Sequence, residues 1–135
     1  MSAQNSLQKG IYDALVNDAG ILALLGGPHV YDHVPRQAAY PYLSFGQIVS
    51  RDWSVGGESG LEHFLTIHVW SRNRGQKQAQ QIVGAIVDAL HDAMVPLDGH
   101  ILINLRFEIS EMRRSRDGET IHAIMRYRAV TEPSN

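Results

Sequence analysis

Two runs of strictly alternating residues, separated by Asp117-Gly118, constrain this chain more than any other feature. In the first, Ile101, Ile103, Leu105, Phe107 and Ile109 alternate with Leu102, Asn104, Arg106, Glu108 and Ser110. In the second, Ile121, Ala123, Met125, Tyr127 and Ala129 alternate with His122, Ile124, Arg126, Arg128 and Val130. A period of two puts successive side chains on opposite faces of an extended chain, so each run reads as a long strand with one apolar face. Asp-Gly between them is a hairpin signal, because these residues tolerate the left-handed backbone of a tight turn. Such a hairpin has one face that must be covered. The other carries Arg106, Glu108, Arg126 and Arg128 and is not built to join the same core.

The cover comes from helices. After Gly75, the residues Ala79, Ile82, Val83, Ile86, Val87, Leu90 and Met94 recur at helical spacing and form an apolar stripe. Burying that stripe contributes on the order of 10 kcal/mol gross, before the entropy of ordering the chain is subtracted. Behind Ser6, Leu7, Ile11, Ala14 and Leu15 also keep helical spacing, and residues 18–25 add a second short helix before Gly26-Gly27-Pro28, so the first 27 residues read as a helical hairpin or bent helix. Leu43, Phe45 and Val49, then Leu65, Ile67 and Val69, mark two further strands joined by a mobile Gly-rich loop. The expectation is therefore an α/β fold of the α+β type. It has a four-stranded, mostly antiparallel sheet with helices on one face, in the order α-α-β-β-α-β-β. No repeat or linker divides the chain, which reads as one domain over residues 1–135, frayed only at residues 132–135.

Charge and composition narrow the function. A formal charge of -2 is too low for a dedicated binder of duplex DNA, which needs a continuous basic stripe. Residues 101–135 hold six Arg and five acids, a balance that points to paired charges on a contact face rather than a solvating tail. The absence of cysteine removes disulfides, thiolate metal sites and a cysteine nucleophile. No run reaches the roughly 18 apolar residues of a membrane span, and residues 1–9 do not read as a signal peptide, so neither membrane insertion nor secretion is expected.

No catalytic, cofactor or metal constellation emerges. His29 and His33, bracketed by Pro28 and Pro35, are extended rather than helical and stand roughly 13 Å apart, too far to share a zinc ion. His63 and His68 point to opposite faces of their strand, and His91 sits at a helix C-terminus, where a cation is favourable without catalysis. Residues 55–60 lack the Lys of a phosphate loop and precede a strand; Ser54 and Ser59 lack a nucleophile elbow. An alternative reading, a small hydrolytic or ligand-binding enzyme, would use His68, His122 and acids of the polar sheet face, and would need a closed pocket with converging polar groups. The better contact candidates are Arg51 and Trp53 at the edge of the Gly-rich loop, Arg113, Arg114 and Arg116 at the hairpin tip, and Arg106, Glu108, Arg126 and Arg128 on the sheet. Trp53 is as consistent with burial against its own sheet as with an anchor.

Several of these stretches carry a resemblance. Residues 30–35 (VYDHVP), 41–46 (PYLSFG), 51–54 (RDWS), 63–72 (HFLTIHVWSR), 90–93 (LHDA), 103–108 (INLRFE) and 125–132 (MRYRAVTE) together resemble a tail-completion family. It comprises tail terminator proteins of long-tailed phages and phage-derived gene transfer agents. The resemblance spans roughly the whole chain. It implies a virion structural protein that closes into a homohexameric ring on the end of the tail tube, stops tube growth and meets the head connector. Its implied partners are further copies of itself, the tail tube protein and a head-completion or stopper protein, with DNA only in transit through the lumen and no membrane. It implies no catalytic residues and no cofactor, and a location at the tail-neck junction of a particle assembled from protein made in the host cytoplasm.

Overall fold

The computed structural model describes residues 2–73 and 75–134. In chain order it contains helices α1 (Ala3–Val16) and α2 (Ala19–Leu25), strands β1 (Val30–Tyr31), β2 (Tyr42–Asp52) and β3 (Leu61–Ser71), helix α3 (Lys77–Leu90), and strands β4 (His100–Arg114) and β5 (Ile121–Pro133). The strands form one sheet in the order β1-β2-β3-β5-β4. β1 runs parallel to β2, and the other pairs are antiparallel. The α+β class is as the sequence indicates, but the sheet has five strands and the order is α-α-β-β-β-α-β-β. The missed strand is two residues long, too short for alternation to show, and Pro28 and Pro35 mark its segment as irregular. The C-terminus also differs: Glu132 and Pro133 belong to β5 instead of fraying, while Asn135 lies outside the described residues.

Local chemistry sets the helix ends. The Ser2 hydroxyl accepts from the Asn5 N–H and caps α1, whose Leu7, Ile11 and Leu15 are fully buried. The Asp18 carboxylate accepts from the Ile21 N–H at 2.9 Å, so the bend at residues 17–18 is the start of a newly capped helix. α2 ends at Gly26, whose φ of +78° is the left-handed conformation that favours glycine. In α3, Ala79, Ile82, Ile86 and Leu90 are buried, with Val83 and Val87 packed at the margin. Met94 does not continue the stripe. It lies past the helix end and is 88% exposed. The core forms where the three helices meet one face of the sheet, against Leu43, Leu65, Ile67, Val69, Leu105, Ala123, Met125, Tyr127 and Ala129.

The alternation expected for residues 101–109 breaks in the structure. β4 shifts register against β5 between Leu102 and Asn104 and again between Phe107 and Ile109, each shift inserting an extra residue. Leu102 and Leu105 are therefore buried while Ile101, Ile103 and Ile109 are exposed. β5 pairs with β3 without a register shift from Ile121 to Thr131, and its inward residues Ile121, Ala123, Met125, Tyr127 and Ala129 are buried as the period of two predicts.

The turn after α3 packs closely on α1. A Cβ on Gly10 would stand 2.7 Å from Leu97 Cδ2, 2.9 Å from Val95 Cγ1 and 3.1 Å from the Pro96 carbonyl oxygen. Gly10→Val is thus expected to cost about 1–3 kcal/mol through overpacking, read as a lower midpoint in thermal or urea unfolding. An unchanged midpoint would mean that this turn yields freely. The same turn closes part of a sheet edge: the Asp92 N–H donates to the Leu105 carbonyl at 2.8 Å, and the Phe107 N–H donates to His91 Nδ1 at 3.0 Å. His91 thus serves as a hydrogen-bond acceptor toward β4, a contact the sequence reading did not foresee.

Candidate interaction surface

The helices cover one face of the sheet, and the functional candidates lie on the other face and at its ends. The β2–β3 hairpin organises the first cluster. Gly56 and Gly57 have φ of +59° and +83°, and Val55 and Glu58 exchange two backbone hydrogen bonds of 3.0 Å across them. The Gly-rich interval is a tight turn extending the hairpin. Counting outward, Arg51 pairs with Glu62, and the Trp53 N–H donates to the Gly60 carbonyl at 2.8 Å.

Glu62 is only 3% exposed. Arg51 Nε donates to Oε1 and Arg128 Nε to Oε2, each at 2.5 Å, so both carboxylate oxygens are held. Burial by itself would raise the Glu62 carboxyl, but the hydrogen bonds and charges of Arg128 and Arg51 outweigh it and the net shift is downward. Trp53 lies over both guanidinium groups, 5.2 Å from Arg128 and 5.8 Å from Arg51, and is 41% exposed. It is not a core residue. The two arginines and one glutamate leave one net positive charge beneath an accessible indole, a composition suited to a contact anchor.

A second cluster crosses β2, β3 and β5 near the opposite end. Trp70 stacks on His122 at 3.8 Å with an interplanar angle of 8°, and its Nε1 donates to Ser44 Oγ at 3.1 Å. His68 Nδ1 and His122 Nε2 are 2.7 Å apart, one donating to the other. Gly46 makes the room, since a Cβ there would collide with the His68 ring at Nε2. Arg113 stands opposite His122 in the register and Glu111 opposite Ile124. Burial lowers both imidazoles. For His122 the neighbouring His68 and then Arg113 add to burial, Glu111 opposes them, and the pKa falls from 6.5 to about 4.

That shift sets a pH dependence. The unfolded chain takes up protons near pH 6.5 that the folded pair refuses, so this contribution is whole above pH 6.5 and is lost as pH falls toward 4. With solvent screening of partly exposed rings allowed for, the loss is of order 2 kcal/mol. Thermal unfolding from pH 7 to 4.5 is expected to show a falling midpoint, and His122→Gln a shallower fall. Some slope persists in the variant because burial also lowers His63. A midpoint independent of pH over that window would contradict the buried pair.

The enzyme alternative placed His68 and His122 together, and they do meet. Trp70, Ile124 and, from β4, Arg113 and Glu111 surround them, and no group of three or more His, Asp or Glu side chains at metal-binding distance occurs among the described residues. A serine–histidine pair lies elsewhere: Ser50 Oγ is 2.6 Å from His63 Nδ1. His63 is fully buried, its Nε2 faces Thr131 Oγ1 at 2.9 Å where a triad would place a carboxylate, and Ser50 Oγ accepts from Gln4 Nε2 at 2.8 Å. This chain of hydrogen bonds ties α1, β2, β3 and β5 together.

The remaining candidates are dispersed. Arg113 pairs with Glu111 at 3.1 Å, Arg114 donates to the Gly118 carbonyl at 3.1 Å, and Arg116 is exposed in the turn. Arg106 reaches Asp92 at 3.7 Å across the β4 edge, Glu108 sits exposed at the second register shift, and Arg126 is exposed between Thr66 and Ile109. Of the nine contact candidates, Arg51, Trp53 and Arg128 are brought together, around Glu62. Glu62, which joins them, escaped sequence reasoning although the Gly56-Gly57 turn places it opposite Arg51.

Comparison with known proteins decides the family. Residues 9–132 match the family model described as tail completion protein gp17. The chain belongs to the tail completion protein gp17 family. Among solved structures, a chain of the virion of a native gene transfer agent particle is 30% identical, with a TM-score of 0.88, over 97% of this chain and 98% of that one. No curated protein matches. The resemblance seen in the sequence is therefore to the right family, and a tail completion protein gp17 domain is what positions the Arg51–Trp53–Arg128 cluster.

Proposed function

We propose that the protein is a structural subunit of a phage or gene transfer agent particle, acting as tail terminator. Six copies form a ring that caps the tail tube, stops its growth and joins it to the head-completion or stopper protein. The ring sits at the tail-neck junction, is assembled from protein made in the host cytoplasm, and lets DNA pass without holding it. The observation that carries this reading is the family match over residues 9–132, together with the near full-length likeness to a gene transfer agent virion chain. The geometry supports it: one sheet face stays uncovered by helices, and its charges are arranged for register rather than for a basic groove. A formal charge of -2 per chain is consistent with passage of DNA without capture. Deletion of the gene tests the proposal. Overlong tubes or tails unattached to heads, restored by the gene in trans, are expected; normal infectious or transducing particles would overturn it.

A further inference from the structure

Both edges of the sheet are partly closed and partly open, and the open parts do not lie at the same level. On β2, the parallel strand β1 covers Leu43 and Ser44, and no strand of the described residues pairs with the outer side of residues 46–52. On β4, His91 and Asp92 cover residues 105–107, and no strand of the described residues pairs with the outer side of residues 108–114. Through the pairings with β3 and β5, Ile48 is level with the clipped Phe107, and Leu43 is level with the open Met112. An unstaggered joint between copies would therefore set each open stretch against a closed one. Six exposed large apolar side chains lie along these two edges, Val49, Trp53 and Val55 on the β2 side and Ile101, Ile103 and Ile109 on the β4 side, while Tyr12 and Met94 are exposed elsewhere.

We propose that copies of this chain join edge to edge, residues 48–52 of β2 in one copy running antiparallel to residues 110–114 of β4 in the next, with Arg51 opposite Glu111. The occupant of each open edge is thus a second copy of the chain. This register pairs Trp53 with Ile109 on the face away from the helices, and Asp52 with Ser110 on the other face. Glu111, which Arg113 contacts from one side in its own copy, then meets the net positive charge left by Arg51 and Arg128 around Glu62, so a carboxylate faces the guanidinium pair across the joint. The contact is heterologous, because the two edges differ, and repeats from copy to copy.

The stagger has a geometric consequence. In its own copy Arg51 is level with Asn104, and from there to Glu111 the sheet advances about six residues, the span from Val130 to Ile124 along β5. That is roughly 20 Å along the strands at about 3.3 Å per residue, against a step between copies of four strand spacings, about 19 Å. Strands so staggered tilt about 45° to the axis around which the copies repeat, at the upper end of the roughly 35–45° at which closed sheets settle. The stagger that the blocked edges require is one that permits closure.

This inference rests on the self-assembly proposed above, and disulfide trapping separates the two. The chain has no cysteine, so an engineered pair reports alone. Asp52→Cys with Ser110→Cys places two sulfurs across the joint, whereas within one copy these positions are roughly 24 Å apart, far beyond the ~7 Å that a disulfide spans. Val49→Cys with Arg106→Cys marks the unstaggered alternative. Each variant is first shown to unfold like the parent when reduced, then oxidised both as purified protein and in assembled particles, with microscopy alongside. The expected result is a covalent ladder ending at the closed assembly for the first pair, collapsed by dithiothreitol, and none for the second. Rings without a ladder from the first pair, or a ladder from the second, would overturn the edge joint and leave the ring reading intact. An open-ended ladder without rings would support the joint and overturn the ring. Neither rings nor ladder in particles that contain the protein would overturn both.

Discussion

Particles assembled with Trp53→Ala subunits are expected to carry uncapped tails, seen as overlong tubes or tails without heads, although the isolated variant folds. The indole is 41% exposed and rests on two guanidinium groups, so truncation removes two cation–π contacts of about 0.5–1 kcal/mol each and opens no core cavity. A loss near 1 kcal/mol in thermal unfolding is the expected cost to the fold. A desolvated aromatic anchor at an interface, by contrast, is worth more than about 2 kcal/mol per contact, repeated at every joint of a ring. If the variant loses several kcal/mol of stability, Trp53 supports its own domain more than a partner. If stability and tail completion both survive, the β2–β3 hairpin is only a connector.

Ile86→Ala should do the reverse, striking the fold first. Ile86 is fully buried at the centre of the α3 stripe, with Ile82 and Leu90 one turn to either side. Removing it costs about 2–5 kcal/mol from lost transfer free energy and a residual cavity. Domains of this size hold roughly 5–15 kcal/mol in all, so the variant should melt many degrees lower and accumulate poorly in cells. Calorimetry checks the first and abundance at the growth temperature the second. A shift within about 1 kcal/mol would mean that α3 repacks readily and is not the main cover of the sheet.

The sequence told most where one period governs many residues. β5 and α3 bury the stripes read from alternation and from helical spacing, Met94 past the helix end excepted, because each packs into the layer between helices and sheet. β4 misled for a local reason: two extra residues shift its register, and an unbroken apolar alternation conceals a strand whose inward side changes at each shift. Ile101, Ile103 and Ile109, counted as core by the pattern, are the exposed side chains of a sheet edge. β1 was invisible because two residues carry no period. The candidate surface was half legible. Composition singled out Arg51 and Trp53, but their relation to Glu62 and Arg128 needs the hairpin register and a third strand, and the His68–His122 contact needs Gly46 to leave space across a neighbouring strand. Such cross-strand meetings depend on topology, which spacing within one segment does not contain.

The most direct measurement is a reconstruction of the tail-neck junction from particles carrying the protein, with density assigned by fitting this fold. A six-fold ring of copies between the last tube layer and the head-completion layer, with Trp53 and Arg51 at the subunit joint, is the predicted result. The protein's absence from the junction, or its presence there as a single copy or a layer of another symmetry, would contradict the account.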